Sequence, residues 1–166
     1  MRAWSIAAAA LLLAACSHIP LISKKDAAAG SVVGVVEYDT ALTKFSTVTG
    51  VYHQDMCSKE NPDAQVHLTD RDMKAILAQA QRSGFYGAKA DLTTDWTTFA
   101  RKPPHCATFR LRVESGGTHN EVRWDCGPDG SNTPPAAVAP VVEQVQKALR
   151  SKKEVQSMPW SRCEVK

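Results

Sequence analysis

The stretch ATFRLRVESGGTHNEVRWD, residues 107–125, decides the fold because apolar and charged residues alternate on both sides of a two-glycine turn. The pair Gly116-Gly117 suits a two-residue hairpin turn in which both positions take positive φ, and such a turn fixes the register. That register pairs Phe109 with Trp124 and Leu111 with Val122 on one face, and Arg112 with Glu121 and Glu114 with His119 on the other. The first face is predicted to be core and the second a solvated set of opposite charges, with Arg110 and Arg123 as a like-charge pair.

Two segments carry the three-to-four-residue spacing of amphipathic helices. In residues 68–85, Thr69 caps the first turn, Asp72 completes a short capping box, and Gly84 supplies a left-handed stop. The apolar face of this first helix consists of Met73, Ile76, Leu77 and Ala80. The second helix begins within residues 135–140, because proline is tolerated in a first turn. Its apolar face consists of Val138, Val141, Val142, Val145, Ala148 and Leu149.

Strand patterns complete the order of elements. Residues 32–36 and 44–52 are predicted strands that precede the first helix, and residues 66–68 allow a further short one. The sequence therefore predicts an α+β fold: an antiparallel sheet of about four to five strands with two helices on one face, held by disulfide bonds. This layout over residues 31–150, with Gly84-Phe85 after the first helix, resembles small uncharacterised bacterial α+β domains, and the resemblance transfers no active residues.

The N-terminus has the features of a secretory signal. Arg2 precedes an apolar run at residues 3–12 that is too short to span a bilayer. Leu13-Ala14-Ala15-Cys16 follows this run and resembles the lipobox of bacterial lipoproteins. The resemblance implies cleavage before Cys16, a diacylglycerol thioether on its sulfur and usually a further acyl chain, such as palmitate, on the freed amine. Two or three buried chains hold a protein to a membrane far better than one.

The residue after the cysteine indicates the membrane to which the protein is expected to be sorted. In lipoproteins of this type a residue other than Asp there usually goes with transport to the outer membrane, and here it is Ser17. We therefore expect the periplasmic leaflet of the outer membrane, in a host with two membranes. The alternative is an exported protein cut by the general signal peptidase, with Cys16 nearby by chance.

Length and charge bound the class of protein. Residues 1–15 are predicted to be the lipoprotein signal peptide, residues 16–30 a lipid-anchored tether, and residues 31–166 a single α+β domain with a C-terminal tail. The formal net charge is +3, and removal of Arg2 with the signal peptide leaves +2. Such a balance gives no argument for binding nucleic acid.

Four cysteines remain once Cys16 is assigned to lipid: Cys57, Cys106, Cys126 and Cys163. An even number in an oxidising compartment predicts two disulfides. Cys106 and Cys126 flank the open end of the hairpin, which favours a bridge between them and leaves Cys57 for Cys163. In ideal register the side chains of these two hairpin cysteines point to opposite faces of the sheet. A bridge between them therefore requires frayed strand ends or a bulge, and the other pairings stay open.

Candidate chemistry is sparse. The sequence contains no motif of a serine hydrolase, a zinc peptidase or a phosphate-binding loop. Cys57 could serve as a thiolate nucleophile with His53 or His105 as its base. An even set of cysteines outside the cytoplasm argues instead for disulfides, which leave no reduced thiol. Met56 beside Cys57 adds a soft ligand for copper or zinc, although the spacing fits no zinc template. We predict no enzymatic activity, no cofactor and no metal site.

The connection over residues 87–105 is long and lacks periodicity, which in a compact domain is typical of a binding loop or a disordered segment. Its candidate partner-binding residues are Trp96, Phe99, Arg101 and Lys102. Aromatic and arginine side chains dominate interface hot spots, and the following Pro103-Pro104 limits the entropy lost on docking. The alternative is that Trp96 and Phe99 pack under the sheet as a satellite of the core.

Three functional hypotheses follow. The first is a lipid-anchored envelope protein without catalytic activity that binds an envelope protein or a cell-wall partner. A specific form of it, by analogy with small lipoproteins that carry paired cysteines, is a periplasmic inhibitor or immunity protein against an envelope enzyme or toxin. The second is an envelope hydrolase or metal-handling protein that uses His53, His105 or His119. The third is a structural spacer without a specific ligand.

Overall fold

The computed structural model describes residues 33–58, 61–99, 101–103, 106–161 and 163. The predicted signal peptide, Cys16 and the tether lie outside these residues. The strands of the described part are β1 (Gly34–Asp39), β2 (Thr43–Ser46), β3 (Val51–Gln54), β4 (Asp63–Gln65), β5 (Asp91–Leu92), β6 (Thr108–Ser115) and β7 (Thr118–Asp125). They form one sheet in the order β4-β3-β2-β1-β6-β7-β5.

This seven-stranded sheet is larger than the predicted four to five strands. The predicted strand over residues 44–52 is in fact two strands, because Gly50 takes a φ of 68° in the turn between β2 and β3. The short strand before the first helix is β4, not residues 66–68, and β5 adds a second short edge. All neighbouring strands are antiparallel except β5 and β7, which are parallel. The α+β class is confirmed.

The central hairpin has the predicted register, with positive φ at both turn glycines. The like-charge pair that the register creates is neutralised by neighbouring carboxylates. Arg110 donates to Asp39 at 2.9 Å, to Glu121 at 3.2 Å and to Glu37 at 3.3 Å, and Arg123 donates to Glu121 at 2.8 Å. A network of this kind removes the repulsion between two cations that face each other on adjacent strands.

Three helices accompany the sheet: α1 (Asp70–Arg82), α2 (Ala139–Arg150) and the short α3 (Lys153–Gln156). The predicted capping box is present, since the Thr69 hydroxyl accepts from the Asp72 N–H and the Asp72 carboxylate accepts from the Thr69 N–H. Gly84 follows α1 with a φ of 74°, as its predicted left-handed stop requires. No helix in the described residues is long and apolar enough to cross a membrane.

One face of the sheet and both long helices share a single core. Alternate residues of the strands point to this face, and those in the buried core are Val36, Tyr38, Phe45, Tyr52, Leu111, Val113, Val122 and Trp124. The helices contribute Met73, Ile76 and Ala80 from α1, and Val141, Val142, Val145, Ala148 and Leu149 from α2. α1 and α2 also contact each other. The opposite face of the sheet carries the ion-pair network and remains in contact with solvent.

The antiparallel pairing gives the sheet two chemically different ends. At one end, here called the turn end, β1 begins at Gly34 beside the hairpin turn at Gly116-Gly117. At the other, here called the disulfide end, β1 and β3 finish and the hairpin opens. The described chain thus enters the sheet at the turn end.

Both disulfides lie at the disulfide end. One joins Cys106 to Cys126 and the other joins Cys57 to Cys163. Pairing in the hairpin stops at Thr108 and Asp125, so Cys106 lies on frayed backbone and reaches Cys126, which resolves the conflict of faces noted above. Together the bridges hold the open end of the hairpin and the C-terminal tail against the body of the domain.

Gly34 is a tightly packed position whose replacement tests the packing at the turn end. A Cβ there would lie 2.9 Å from the Glu114 carbonyl oxygen, which is fixed in the β1–β6 ladder. We expect Gly34→Ala to lower the free energy of unfolding by about 1–3 kcal/mol in urea denaturation. Gly87→Ala is the matched control, since a Cβ there meets nothing within 4 Å, and an equal loss in both variants would contradict the packing argument.

Candidate functional site

The segment predicted to bind a partner has more local order than its sequence indicates. The connection contains a 3₁₀ turn at Phe85–Gly87, then β5, then a second 3₁₀ turn at Trp96–Thr98 that Asp95 caps by accepting from the Thr97 N–H at 3.0 Å. We call residues 93–103 the aromatic loop. Because it follows β5, which is parallel to β7, it leaves the sheet at the disulfide end.

Asp125, the last residue of β7, anchors the aromatic loop. Its carboxylate accepts from the Thr94 N–H at 2.7 Å and from the Trp96 indole Nε1–H at 2.6 Å. The Thr94 hydroxyl adds a bond to the Cys126 carbonyl at 3.1 Å. Asp125 is buried, with 7% of its surface exposed, so this carboxylate is a fixed part of the structure.

The environment of Asp125 keeps its carboxyl ionised. Burial by itself would raise the pKa, but the hydrogen bonds from Thr94 and Trp96, with the Lys102 ammonium at 4.0 Å, outweigh it and lower the pKa below its ordinary value. A negative charge therefore persists beneath the loop through the neutral range.

The four predicted contact residues divide into two kinds. Trp96 is half-buried and tied to Asp125, whereas Phe99 is 40% exposed, and their ring centroids lie 5.5 Å apart. Arg101 and Lys102 are both exposed. Neither aromatic ring belongs to the core cluster, so packing under the sheet does not account for Phe99. The loop therefore presents an exposed aromatic ring supported from behind by a half-buried one.

Trp160, in the C-terminal tail, is a second exposed aromatic residue at the same end and was not singled out from the sequence. It is 92% exposed. The tail beside it is held in place, because Gln54 donates to the Pro159 carbonyl at 3.0 Å, Ser161 donates to the Asp55 carbonyl at 2.8 Å, and Cys163 is bridged to Cys57. No local sequence pattern distinguishes an exposed tail tryptophan from a buried one.

The alternative sites considered from the sequence are not assembled. Cys57 is in a disulfide and so has no thiolate to serve as a nucleophile. His53 Nδ1 lies 2.6 Å from Asp63, His119 is exposed on β7, and His105 lies outside the described residues. Among the described residues the only close group of three potential metal ligands is Asp55, Cys57 and Cys163, and two of its members are bonded to each other.

Comparison with protein-family models, with curated proteins and with solved structures found no match to this chain. The disulfide end is therefore interpreted from its own chemistry. It combines two exposed aromatic residues, exposed cations and a backbone that is fastened by two bridges and a buried carboxylate.

Removal of the Asp125 anchor should release the aromatic loop. Asp125→Ala leaves the Thr94 N–H and the Trp96 indole N–H without their acceptor, so we expect a loss of about 2 kcal/mol in urea denaturation. We also expect a red shift of the Trp96 fluorescence as the ring enters water. The control is Asp129→Ala, which removes an exposed carboxylate from the next turn and should leave the unfolding midpoint nearly unchanged. Equal midpoints for the two variants would contradict the anchoring role.

The lowered pKa of Asp125 also predicts a pH dependence. Its stabilising contribution is complete above the ordinary carboxyl pKa and is lost as the pH falls through the lowered pKa of the folded state. The difference in unfolding free energy between the wild type and Asp125→Ala should therefore be constant near neutrality and shrink in acid. Urea denaturation at a series of pH values measures this difference, and a gap that grows in acid would contradict the assignment.

Proposed function

We propose that this chain is a non-enzymatic, lipid-anchored envelope protein that binds a protein partner through its disulfide end. Among the described residues, Phe99 and Trp160 are the large aromatic residues exposed to solvent, and both lie at this end. This observation carries the proposal. Tyr, Trp and Phe are enriched in the cores of protein interfaces, and Trp is among the residues most enriched at interface hot spots.

The dimensions of the disulfide end suit one interface. Trp160 lies next to β3 through the Gln54 bond, and the aromatic loop is fastened to β7, four strands away in the sheet. Strands are spaced about 4.8 Å apart, so the two aromatic sites are separated by roughly 20 Å along the sheet. A standard interface of about 800 Å² on each partner spans that distance. One partner of ordinary size can therefore contact both rings.

The rigidity of the aromatic loop favours the inhibitor or immunity form of this function. Asp125 holds the loop at Thr94 and Trp96, and the Cys106–Cys126 bridge fastens the chain shortly after it. A loop that is ordered before binding loses less conformational entropy when it docks, which is the physical basis of tight inhibitory loops. The target is then an envelope enzyme or an incoming toxin with a concave site that accepts Phe99.

The lipobox resemblance and Ser17 support a location at the outer membrane, which is the last part of the proposal. A lipid on Cys16 would tether the domain to the periplasmic leaflet of the outer membrane. The described part of the chain begins at the turn end of the sheet, and the proposed binding surface is at the opposite end. The predicted tether, residues 16–30, would let the domain extend away from the membrane surface.

A variant pair tests the binding surface. The full chain with Phe99→Ala and Trp160→Ala should lose at least tenfold in affinity for the partner that the wild type retains, because the two hot-spot rings are gone. Val48→Ala is the matched control, since Val48 is 68% exposed but lies in the β2–β3 turn at the turn end. Quantitative affinity capture followed by biolayer interferometry gives both values. Unchanged affinity in the double variant would overturn the proposal.

Metabolic labelling tests the anchor. Labelled palmitate should enter the wild type and not Cys16→Ser, and the Cys16→Ser protein should leave the membrane fraction. Ser17→Asp should keep the label but change its density-gradient position from the outer to the inner membrane. Membrane association of an unlabelled Cys16→Ser protein would contradict lipidation, and outer-membrane localisation of Ser17→Asp would contradict the sorting argument alone.

A further inference from the structure

A cavity of about 310 Å³ lies at the disulfide end between the sheet and α2. We call it the α2 cavity. A second space of about 360 Å³ adjoins it, and the two share Tyr38, Thr40, Phe109, Asn132 and Gln146. Volumes of this size are at the lower end of the range for small-molecule sites. The two spaces follow α2, because its residues 139–146 line the second space and its residues 146–150 line the first.

The exposed wall of the α2 cavity is mainly apolar. Its apolar part consists of Leu42, Tyr52, Phe109, Leu149 and Val155 with the ring of Tyr38, and Thr40, Thr43, Asn132, Gln146 and Arg150 add polar groups. Phe109 is only partly buried and stacks on Trp124, with ring centroids 5.4 Å apart and planes inclined by 14°. Such a wall takes up an alkyl chain in preference to a polar ligand.

A chain of oriented hydrogen bonds ends in the α2 cavity. Arg150 donates to the Gln146 side-chain carbonyl at 3.1 Å, and the Gln146 amide donates to the Tyr38 hydroxyl oxygen at 2.8 Å. The Tyr38 hydroxyl thus accepts, and its own proton has no acceptor among the described residues. Burial raises the pKa of Tyr38 more than Gln146 and Arg150 lower it, so the phenol keeps that proton at neutral pH. The chain supplies a donor to whatever enters.

A second donor is left unpaired on the wall of the adjoining space. Trp124 lines that space, is 1% exposed, and its Nε1–H is the buried side-chain nitrogen without a hydrogen-bond partner in the described part of the chain. Native structures leave few such groups unsatisfied, and each one calls for an explanation such as an absent ligand or water. The Trp124 nitrogen has almost no accessible surface, so the Tyr38 hydroxyl is the donor available to a ligand, and it favours one that brings an oxygen acceptor.

The charges around the two spaces indicate the sign of the ligand. Arg150 is the charged residue on the wall of the α2 cavity, and Glu143 is the charged residue on the wall of the adjoining space, about two helical turns nearer the start of α2. Arg150 is exposed and uses one of its guanidinium nitrogens on Gln146. Because Arg150 lines the cavity, its other guanidinium nitrogen atoms are donors suited to a carboxylate.

We propose that the α2 cavity binds a medium-chain fatty acid, with its carboxylate at Arg150 and the Tyr38 hydroxyl and its alkyl chain along Phe109 and Leu42. The two adjacent spaces along α2 suit an unbranched chain, the apolar part of the wall favours its burial, and the guanidinium with the phenol donor suits the anionic head. This activity is separate from the proposed protein interface, because the exposed aromatic residues Phe99 and Trp160 do not line the α2 cavity.

Titration of decanoate tests the site. The full chain in phospholipid nanodiscs should bind decanoate with one-to-one stoichiometry by isothermal titration calorimetry, with empty nanodiscs as the blank. 1-Decanol, which has the same chain and no charge, should bind at least tenfold more weakly. The absence of decanoate binding would overturn the proposal. Equal binding of decanol would also overturn it, because the cavity would then not recognise the carboxylate.

Variants locate the site. Arg150→Gln should weaken decanoate binding by about tenfold or more, since a charge-assisted bond is lost. Lys147→Gln, which removes the same charge from the same helix away from the cavity, should stay within twofold of wild type. Leu42→Trp should abolish binding by filling the cavity, and circular dichroism checks that each variant is folded. Wild-type affinity in Arg150→Gln or in folded Leu42→Trp would overturn the assignment.

A photoreactive fatty acid gives an independent readout. Diazirine-labelled decanoic acid should cross-link to peptides that contain residues 38–43 or 142–155, and unlabelled decanoate should compete it away. Labelling concentrated at Phe99 or Trp160 would show that the fatty acid binds the exposed aromatic surface instead, which overturns the α2 cavity proposal while leaving the protein interface to its own test.

Discussion

The register of the β6–β7 hairpin is the constraint on which the rest of the structure depends. Because side chains alternate between faces, a slip of one residue would exchange the apolar and the charged faces of both strands. With the register fixed by Gly116-Gly117, Leu111 and Val122 belong to the core that the sheet shares with the helices, and Arg110 meets Asp39 and Glu121 on the other side. The same register brings Phe109 onto Trp124 and ends the strand at Asp125, where the aromatic loop is fastened.

The elements with strong periodic patterns were predictable from the sequence. The hairpin, α1 with its capping box, and α2 have eight or more residues in a regular pattern, so their local signals are long enough to dominate. The short edge strands β4 and β5 were not predictable, because three or two residues cannot display an alternation, and their pairing depends on tertiary neighbours. The break at Gly50 shows the same effect, since the residues on its two sides read as one strand.

The candidate site was predictable only in part, for a different reason. Composition pointed to Phe99 and Trp96, but the sequence does not reveal that Asp125, some thirty residues later, fixes one ring and leaves the other exposed. The α2 cavity was missed for the same reason. Its wall is built from β1, β2, β3, β6, α2, α3 and the β1–β2 turn, and the Tyr38 donor reaches a cavity only when these distant segments meet. Long-range juxtaposition leaves no mark on local patterns.

The two outermost strands of the sheet affect whether molecules of this protein associate at high concentration. β4 and β5, the outermost strands, have only three and two residues, and each contains an aspartate. Each of these two strands offers a neighbouring molecule few amide and carbonyl groups to pair with, and a negative charge beside them. Pairing between the outermost strands of two molecules, which could extend into a fibril, is thereby discouraged.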